Sequence, residues 1–229
     1  MESADATPWL PAALGLLDIR RRDRLLAVGI APAPARHLAA RIGSDGELLL
    51  VQPDPRHAEQ MAAWQFEHVH VVLHDAAGGE RFGTFDALLM APSCAPLPPI
   101  GALADLARAN LRPGGRFVFD LPGLPMVPEL LAAARELGWD DARLQCLSGC
   151  SDDTLVEGLR NAGLRNVHGV LGAHLLHLES PGDLVDLFAA ELDLGDDERL
   201  QLTHALVRRV GSTGPFDALL HRTRVGGQR

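Results

Sequence analysis

Lysine and tyrosine are both absent from this 229-residue sequence, so all 21 of its basic residues are arginines. Without lysine, the chain has no amine for Schiff-base chemistry, no lysine general base and no lysine for a phosphate-binding P-loop. Without tyrosine, it has no phenol that could act as an acid or a base. Any catalysis by this chain therefore depends on other groups.

Cysteine and positive charge are also scarce. Three cysteines, an odd number, argue against a disulfide framework and favour a reducing cytoplasm. The formal net charge of −9 argues against a nucleic-acid-binding domain. No apolar run reaches the roughly 18 residues that a membrane span needs, and the first residues lack the order of a signal peptide. We therefore expect a cytoplasmic protein that neither spans a membrane nor binds nucleic acid.

Short apolar runs alternate with amphipathic segments along the chain, which predicts an α/β domain with a parallel sheet. The predicted strands are 25–28, 48–51, 69–73, 85–90, 116–120, 166–171 and 216–221. The predicted helices are 8–17, 35–42, 55–64, 102–110, 128–137, 154–161, a helix capped by Ser180, and 197–210. No repeat or linker interrupts this order, so residues 1–229 are predicted to form a single domain.

Ligands of such sheets bind beyond the carboxyl ends of the strands, so the residues there are the most informative about function. Five segments stand out: Asp23–Gly29 (DRLLAVG), Val51–Pro55 (VQPDP), His74–Ala77 (HDAA), Phe85–Leu89 (FDALL) and Leu111–Arg116 (LRPGGR). On these segments the chain resembles the class I S-adenosylmethionine-dependent methyltransferases, in particular the small-molecule branch related to quinone biosynthesis. The resemblance runs from about Leu14 to Leu121 and returns, more weakly, from Thr154 onward.

The resemblance implies a doubly wound, seven-stranded, mostly parallel sheet of the Rossmann-like methyltransferase type, with an antiparallel last strand. It also implies an S-adenosylmethionine site. Gly29 and Ala31 would lie in the family's glycine loop, near the methionine part of the cofactor. Gln52 stands where the family has the acid that binds the ribose hydroxyls, and Asp54 follows two residues later. Asp75 and Ala76 would lie at the adenine, with Asp75 at its amino group.

Several positions depart from the family pattern. Ala31 and Ala33 replace two glycines of the loop, Pro32 and Pro34 stand beside them, and Ala27 replaces the acid of the first strand. Alanine disfavours the positive φ that glycine allows, and proline removes an amide donor. The glycine loop is therefore degenerate. Gly29 and Asp75 could also be ordinary turn residues, so a structural reading of both stays open.

These departures leave two hypotheses for the function. The first is methyl transfer from S-adenosylmethionine to a small-molecule acceptor, for which no catalytic residue is predicted. The second is a catalytically inactive chain that serves as a binding module, a regulatory subunit or a partner protein. A homodimer or a complex with another protein is compatible with either. A nicotinamide dehydrogenase is disfavoured, because Gly29 is the only glycine of a Gly-x-Gly-x-x-Gly window.

Histidines and cysteines provide weaker alternatives. His68, His70 and His74 flank the third strand, but without further ligands nearby we predict no metal site. His174 and His177 could supply a general base, although packed or solvated histidines are more common. The segment 91–94 (APSC) lacks the Asn/Asp-Pro-Pro-aromatic turn of family members that methylate nitrogen, which disfavours that reaction. Its Cys94 faces the predicted cleft, but nothing in the sequence marks it as a nucleophile.

Overall fold

A computed structural model describes residues 10–76, 79–92, 98–190 and 192–229, without the side chains of Leu10 and Cys146. The strands are β1 (Arg24–Val28), β2 (Glu47–Gln52), β3 (Val69–Leu73), β4 (Phe85–Met90), β5 (Leu111–Pro122), β6 (Arg165–Leu178) and β7 (Phe216–Gln228). The helices are α1 (Leu10–Leu17), α2 (Pro32–Ile42), α3 (Pro55–Ala62), α4 (Ile100–Asn110), α5 (Pro128–Glu136), α6 (Gln145–Ser148), α7 (Asp152–Asn161), α8 (Pro181–Phe188) and α9 (Asp196–Val210).

All seven strands form one sheet in the order β3-β2-β1-β4-β5-β7-β6. The strands from β1 to β5 pair in parallel, whereas β7 is antiparallel to both β5 and β6. This confirms the predicted seven-stranded, mostly parallel sheet with an antiparallel last strand. The strand order reverses between β1 and β4, which opens a crevice at their carboxyl ends.

Three hydrophobic clusters hold the helices against the sheet. The central strands are buried on both faces, as their continuous apolar sequences predict. Helices α1 and α2 pack on one face, over residues such as Leu25 and Ala27, and α4 and α7 pack on the other, over Leu26 and Phe117. Helices α5, α8 and α9 form a third cluster with the beginning of β7. This third cluster covers one side of the antiparallel pair β6–β7.

The first predicted helix, 8–17, is described from Leu10 to Leu17, and Pro8 and Trp9 lie outside the described residues. Other predicted boundaries are wrong. Helix α2 begins at Pro32 rather than at residue 35, because proline is favoured in the first helical turn. Strand β5 begins directly after α4, and its predicted turn at 112–115 instead pairs with the end of β7, where Gly114 N donates to Arg229 O at 3.1 Å.

Strands β6 and β7 are also longer than the predicted 166–171 and 216–221. The two strands pair from Arg165–Gln228 to Leu178–Phe216, whereas the pairing of β7 with β5 covers only Arg222 to Gln228. The glycines and histidines of this part of β6 weaken the alternation of apolar and polar residues by which a strand is predicted from sequence. No helix in the described residues is long and apolar enough to cross a membrane.

Ser180 begins α8 as predicted. Its Oγ accepts a hydrogen bond from Asp183 N at 3.3 Å, and the Asp183 carboxylate accepts one from Ser180 N at 2.8 Å. This reciprocal pair is a capping box, which satisfies two backbone donors that the first helical turn would leave unpaired. The cap therefore fixes the start of a helix whose apolar side closes the third cluster.

We predict that Ser180→Ala lowers the free energy of unfolding by about 1 kcal/mol, the usual contribution of a serine N-cap. Urea denaturation followed by circular dichroism measures the change. The matched control is Ser44→Ala, an exposed serine in the turn before β2, which should change stability by less than about 0.5 kcal/mol. Equal effects of the two substitutions would contradict a capping role for Ser180.

Candidate functional site

Gly29 lies at the carboxyl end of β1, where the strand order reverses. Its φ is +66°, a conformation that glycine adopts without strain. Its N–H donates to Val51 O at 2.9 Å, and Ala91 N donates to Val28 O at 3.2 Å. A Cβ at Gly29 would lie 3.5 Å from Cβ of Pro92. The residue is therefore held between the ends of β2 and β4. Glycine is required by the positive φ, since there is room for a Cβ beside Pro92.

The loop after Gly29 is short. Ile30 is buried, and Ala31 is the N-cap of α2 with an extended backbone at φ −61°. Pro32 and Pro34 occupy the first turn of the helix, and Ala35 N already donates to Ala31 O at 3.1 Å. Free amides at a helix N-terminus normally bind anions, and proline has no amide hydrogen. This helix start can therefore offer fewer donors to a carboxylate than a glycine-rich loop.

Gln52 ends β2 and is almost completely buried. Its Nε2 donates a short hydrogen bond to the carbonyl of Ile30, and its own carbonyl accepts from His74 N at 2.8 Å. A carboxylate at this position could not donate to Ile30, so glutamine suits this loop better than the family's acid does. The side chain that sequence comparison assigns to a ribose hydroxyl is thus bonded to the loop.

Asp54 caps α3. One carboxylate oxygen accepts from Arg56 N at 2.9 Å, and the other lies 3.2 Å from the Arg56 guanidinium. The hydrogen bond from the Arg56 side chain lowers the pKa of Asp54. The carboxylate remains partly exposed, with 28% of the side chain accessible. Asp54 therefore has a structural role at the helix start, and its carboxylate stays ionised.

Asp75 and Ala76 follow β3. The Asp75 side chain is largely exposed and lies 3.5 Å from Nδ1 of His74. Ala76 is buried at φ +47°, and its N–H donates to the same Nδ1 at 3.0 Å. Of the neighbouring positions, Ala77 and Gly78 lie outside the described residues. Both predicted residues therefore reach the carboxyl edge of the sheet, Asp75 with its side chain accessible to a ligand.

His74, Asp75 and Glu80 have potential ligand atoms within 4.8 Å of one another. Among the residues that the structure describes, this is the group that comes together, whereas His68, His70 and His74 do not form one. The N–H of Ala76 already occupies the lone pair of His74 Nδ1. The exposed Asp75 and the half-buried Glu80 then remain, which is an ordinary surface arrangement of two carboxylates.

The most deeply buried charges lie beside this edge, at the end of β5. Asp120 and Arg222 are fully buried, and Arg224 is nearly so. Nε of Arg222 donates to Asp120 Oδ1 at 2.8 Å, and Nε of Arg224 donates to Oδ2 at 3.1 Å. Arg222 also donates to the carbonyls of Pro92, at 3.0 Å, and of Asp120. We call these three residues the buried arginine cluster. It joins the ends of β4 and β5 to the middle of β7, next to Gly29.

The predicted strand 116–120 ends at Asp120, but neither arginine was predicted from the sequence. The signal that could have found them is their spacing in the segment His221–Val225 (HRTRV), because residues two apart in a strand share a face. Arginines on an inward face need a carboxylate partner, and Asp120 is the acid at the end of the neighbouring strand. That pairing depends on residues about one hundred positions apart, which no local pattern reveals.

His174 of β6 is bonded to the buried arginine cluster through a short contact between its Nε2 and Nη2 of Arg224. A guanidinium can only donate, so Nε2 is the acceptor and the ring proton is on Nδ1. Burial lowers the pKa of His174, and the charge of Arg224 lowers it further. The lone pair that a general base needs is therefore already used. His177 instead pairs with Asp217 at 2.6 Å on the surface.

Cys150, the cysteine whose side chain the structure describes, adds no nucleophile to this part of the molecule. Burial raises the pKa of the Cys150 thiol to about 11, so it stays protonated at neutral pH. Ser93 and Cys94 of the predicted turn lie outside the described residues, as does the side chain of Cys146. The site of the described chain therefore consists of backbone groups, Gln52, Asp75 and the buried arginine cluster.

No protein-family model matches the sequence, and no curated protein matches it. Solved structures with this architecture do. The YcgJ protein of Bacillus subtilis is 15% identical and aligns over 96% of this chain and 97% of its own, with a TM-score of 0.66. A candidate methyltransferase of Bacillus halodurans is 11% identical over 96% and 98%, with a TM-score of 0.64. Fibrillarin of Aeropyrum pernix, solved with S-adenosylmethionine, is 17% identical over 94% and 73%, with a TM-score of 0.51.

At these identities the likeness shows the fold alone. The strand order and the antiparallel β7 make this the Rossmann-like fold of the class I methyltransferases. Function has to be argued from the residues at the carboxyl edge of the sheet.

We predict that Asp120→Asn lowers the free energy of unfolding by about 3–5 kcal/mol, because it leaves two buried guanidinium groups without their carboxylate. The measurement is urea unfolding at pH 7.5. The matched control is Asp18→Asn, which removes an ion pair with Arg20 in which both side chains are mostly exposed, and should change stability by less than about 1 kcal/mol. A similar small loss in both variants would contradict the role of Asp120.

A second prediction concerns pH. Because the pKa of His174 is lowered by folding, the unfolded chain binds a proton there more readily, and stability falls as pH decreases through about 6.5. His174→Gln should flatten this part of the decline between pH 7.5 and 5.5, since it cannot titrate. His70→Gln, an exposed histidine of β3, serves as the control. Parallel pH profiles of the wild type and His174→Gln would show that His174 is not involved.

Proposed function

We propose that this chain is a single-domain, cytoplasmic methyltransferase that binds S-adenosylmethionine at the carboxyl ends of β1, β2 and β4. The observation that carries the proposal is Gly29, in a left-handed conformation directly after β1 at the reversal of the strand order. In sheets of this type the ligand crevice lies at that point. Fibrillarin of Aeropyrum pernix, which shares the fold, binds S-adenosylmethionine, and this supports the choice of cofactor.

The residues present fit one half of this cofactor better than the other. Asp75 offers an exposed carboxylate after β3 for the adenine amino group, and the buried Ala76 offers an apolar surface beside it. On the methionine side, Pro32 and Pro34 leave few backbone donors for a carboxylate. We therefore propose that adenine and ribose contacts contribute most of the affinity, and that the degenerate glycine loop contributes less.

A small-molecule acceptor, as in the branch related to quinone biosynthesis, is the substrate class that we propose. The cofactor supplies an electrophilic methyl group, so the protein mainly has to align the acceptor and exclude water. No residue of this chain is assigned as a general base, since the lone pair of His174 Nε2 is held by Arg224. The net charge of −9 makes a nucleic-acid acceptor unfavourable.

The second candidate function is that of an inactive partner or regulatory subunit with a methyltransferase fold. One observation favours it: the bond from Gln52 to the Ile30 carbonyl occupies the side chain that would otherwise face the ribose. Together with the two prolines, this bond would close the crevice against the cofactor. Binding measurements distinguish the two functions, because only the first requires affinity for S-adenosylmethionine.

Isothermal titration calorimetry with S-adenosylmethionine and S-adenosylhomocysteine tests the proposal. We expect a Kd tighter than about 100 μM, which corresponds to roughly −5.5 kcal/mol. Ala31→Gly should strengthen binding by about 1 kcal/mol or more, because Ala31 is half-buried at the N-cap and removing its Cβ would make room for the methionine part of the cofactor. Ala33→Gly is the matched control, since its side chain points to solvent from the first turn of α2.

Asp75→Ala should weaken binding in the same titration, whereas Asp18→Ala, at an exposed position before β1, should not. If neither the wild type nor Ala31→Gly binds either ligand, the cofactor site does not exist and the partner function is favoured. If the wild type binds tightly and Ala31→Gly binds no better, the loop does not limit affinity, and the prolines have shaped it around the ligand.

A further inference from the structure

A groove of about 420 Å³ lies between α2 and the end of α3, a size typical of small-molecule sites. The side chains that line it are Pro32, Ala33, Arg36, His37, Ala40, Gln60 and Trp64. We call it the α2–α3 groove. None of its lining residues is acidic, and α2 itself has no acid, although the chain carries 30 acidic residues against 21 basic ones. The groove is therefore locally positive on a negatively charged protein.

An aromatic ring fixes Arg36 in this groove. Its guanidinium lies over the indole of Trp64, 5.4 Å from the ring centroid, and the indole meets Phe66 edge-on, with the two centroids 6.1 Å apart. Trp64 also packs against the hydrophobic cluster beneath α1 and α2. A stacked guanidinium presents its flat face to the ring, which leaves the N–H groups in its plane able to donate. Across the described ranges of the chain, no ion pair or hydrogen bond uses those groups of Arg36.

Two further donors line the groove with Arg36. His37 follows it on α2, and Gln60 belongs to α3. Both side chains are exposed, and neither forms a hydrogen bond within the part of the chain that the structure describes. Ala33 and Ala40, about one helical turn before and after Arg36, give the groove an apolar floor. The groove thus combines a fixed cation and two polar donors with apolar surface.

We propose that the α2–α3 groove binds a small aromatic carboxylate. The carboxylate accepts from the in-plane N–H groups of Arg36, in the paired geometry that a guanidinium favours, and the ring covers Ala33 and Ala40. A cationic ligand is repelled by Arg36, a simple anion leaves the apolar floor in water, and a neutral ring leaves the guanidinium without an anionic partner. The groove contains none of the predicted cofactor contacts, so this site does not depend on S-adenosylmethionine binding.

A nuclear magnetic resonance titration with benzoate tests the site. The chain has three tryptophans, and Trp64→Phe identifies which indole N–H signal belongs to Trp64. Benzoate should shift that signal with a Kd in the millimolar range or tighter, which is ordinary for a ligand of this size. Benzyl alcohol keeps the ring without the charge, and acetate keeps the carboxylate without the ring. Each of these two probes should bind at least about fivefold more weakly than benzoate.

Arg36→Gln removes the partner of the carboxylate and should weaken benzoate binding by about tenfold or more. The matched control is Arg41→Gln, the same substitution at an exposed position in the last turn of α2, outside the groove, which should change the Kd by less than about twofold. Ala40→Glu is a second test, because it places a carboxylate one helical turn from Arg36 and should weaken binding as strongly. Circular dichroism checks that each variant is folded.

The outcomes separate clearly. Weaker binding in both Arg36→Gln and Ala40→Glu, with Arg41→Gln unchanged, supports the proposal. A Trp64 signal that stays in place throughout the titration overturns it. Equal affinities of the wild type and Arg36→Gln overturn it as well, and so do equal affinities for benzoate and benzyl alcohol.

Discussion

The carboxyl edge of the sheet depends on one buried carboxylate. Asp120 accepts hydrogen bonds from Arg222 and Arg224, and Arg222 in turn reaches the Pro92 carbonyl at the end of β4. Pro92 faces Gly29, so four segments distant in sequence are joined through three side chains. Removing water from three charges is costly, and only complete pairing offsets that cost. The arrangement therefore tolerates little change in the relative positions of β4, β5 and β7.

Arginine is the basic residue suited to such a site. A buried lysine can lose its proton when its partner is lost, whereas a guanidinium stays charged and donates in several directions at once. Arg222 uses this geometry to bond one carboxylate and two backbone carbonyls. The fixed charge has a further effect on His174, which accepts from Arg224 and is kept neutral. One ion cluster thus determines both the strand ends and the protonation of the nearest histidine.

Much of this fold could be predicted because the central strands carry local signals. The apolar runs at 69–73 and 85–90 match β3 and β4 residue for residue, and the cap at Ser180 was recognisable from its aspartate three residues later. The far part of β6 and β7 carries no such signal. These residues form strands because β6 and β7 pair with each other, and not because apolar and polar residues alternate along the sequence. The start of α2 was missed because Pro32 and Pro34 suggest a loop, although both fit a first helical turn.

The candidate site, like the ends of β6 and β7, could be predicted from the sequence only in part. The family resemblance aligns Gln52 with an acid, but only the fold shows that its side-chain amide donates to the Ile30 carbonyl. A loop that is held by Gln52 and continues directly into a helix has no need of glycine beyond Gly29, where φ is positive. Ala31, Pro32, Pro34 and Gln52 are therefore parts of one compact arrangement rather than independent features.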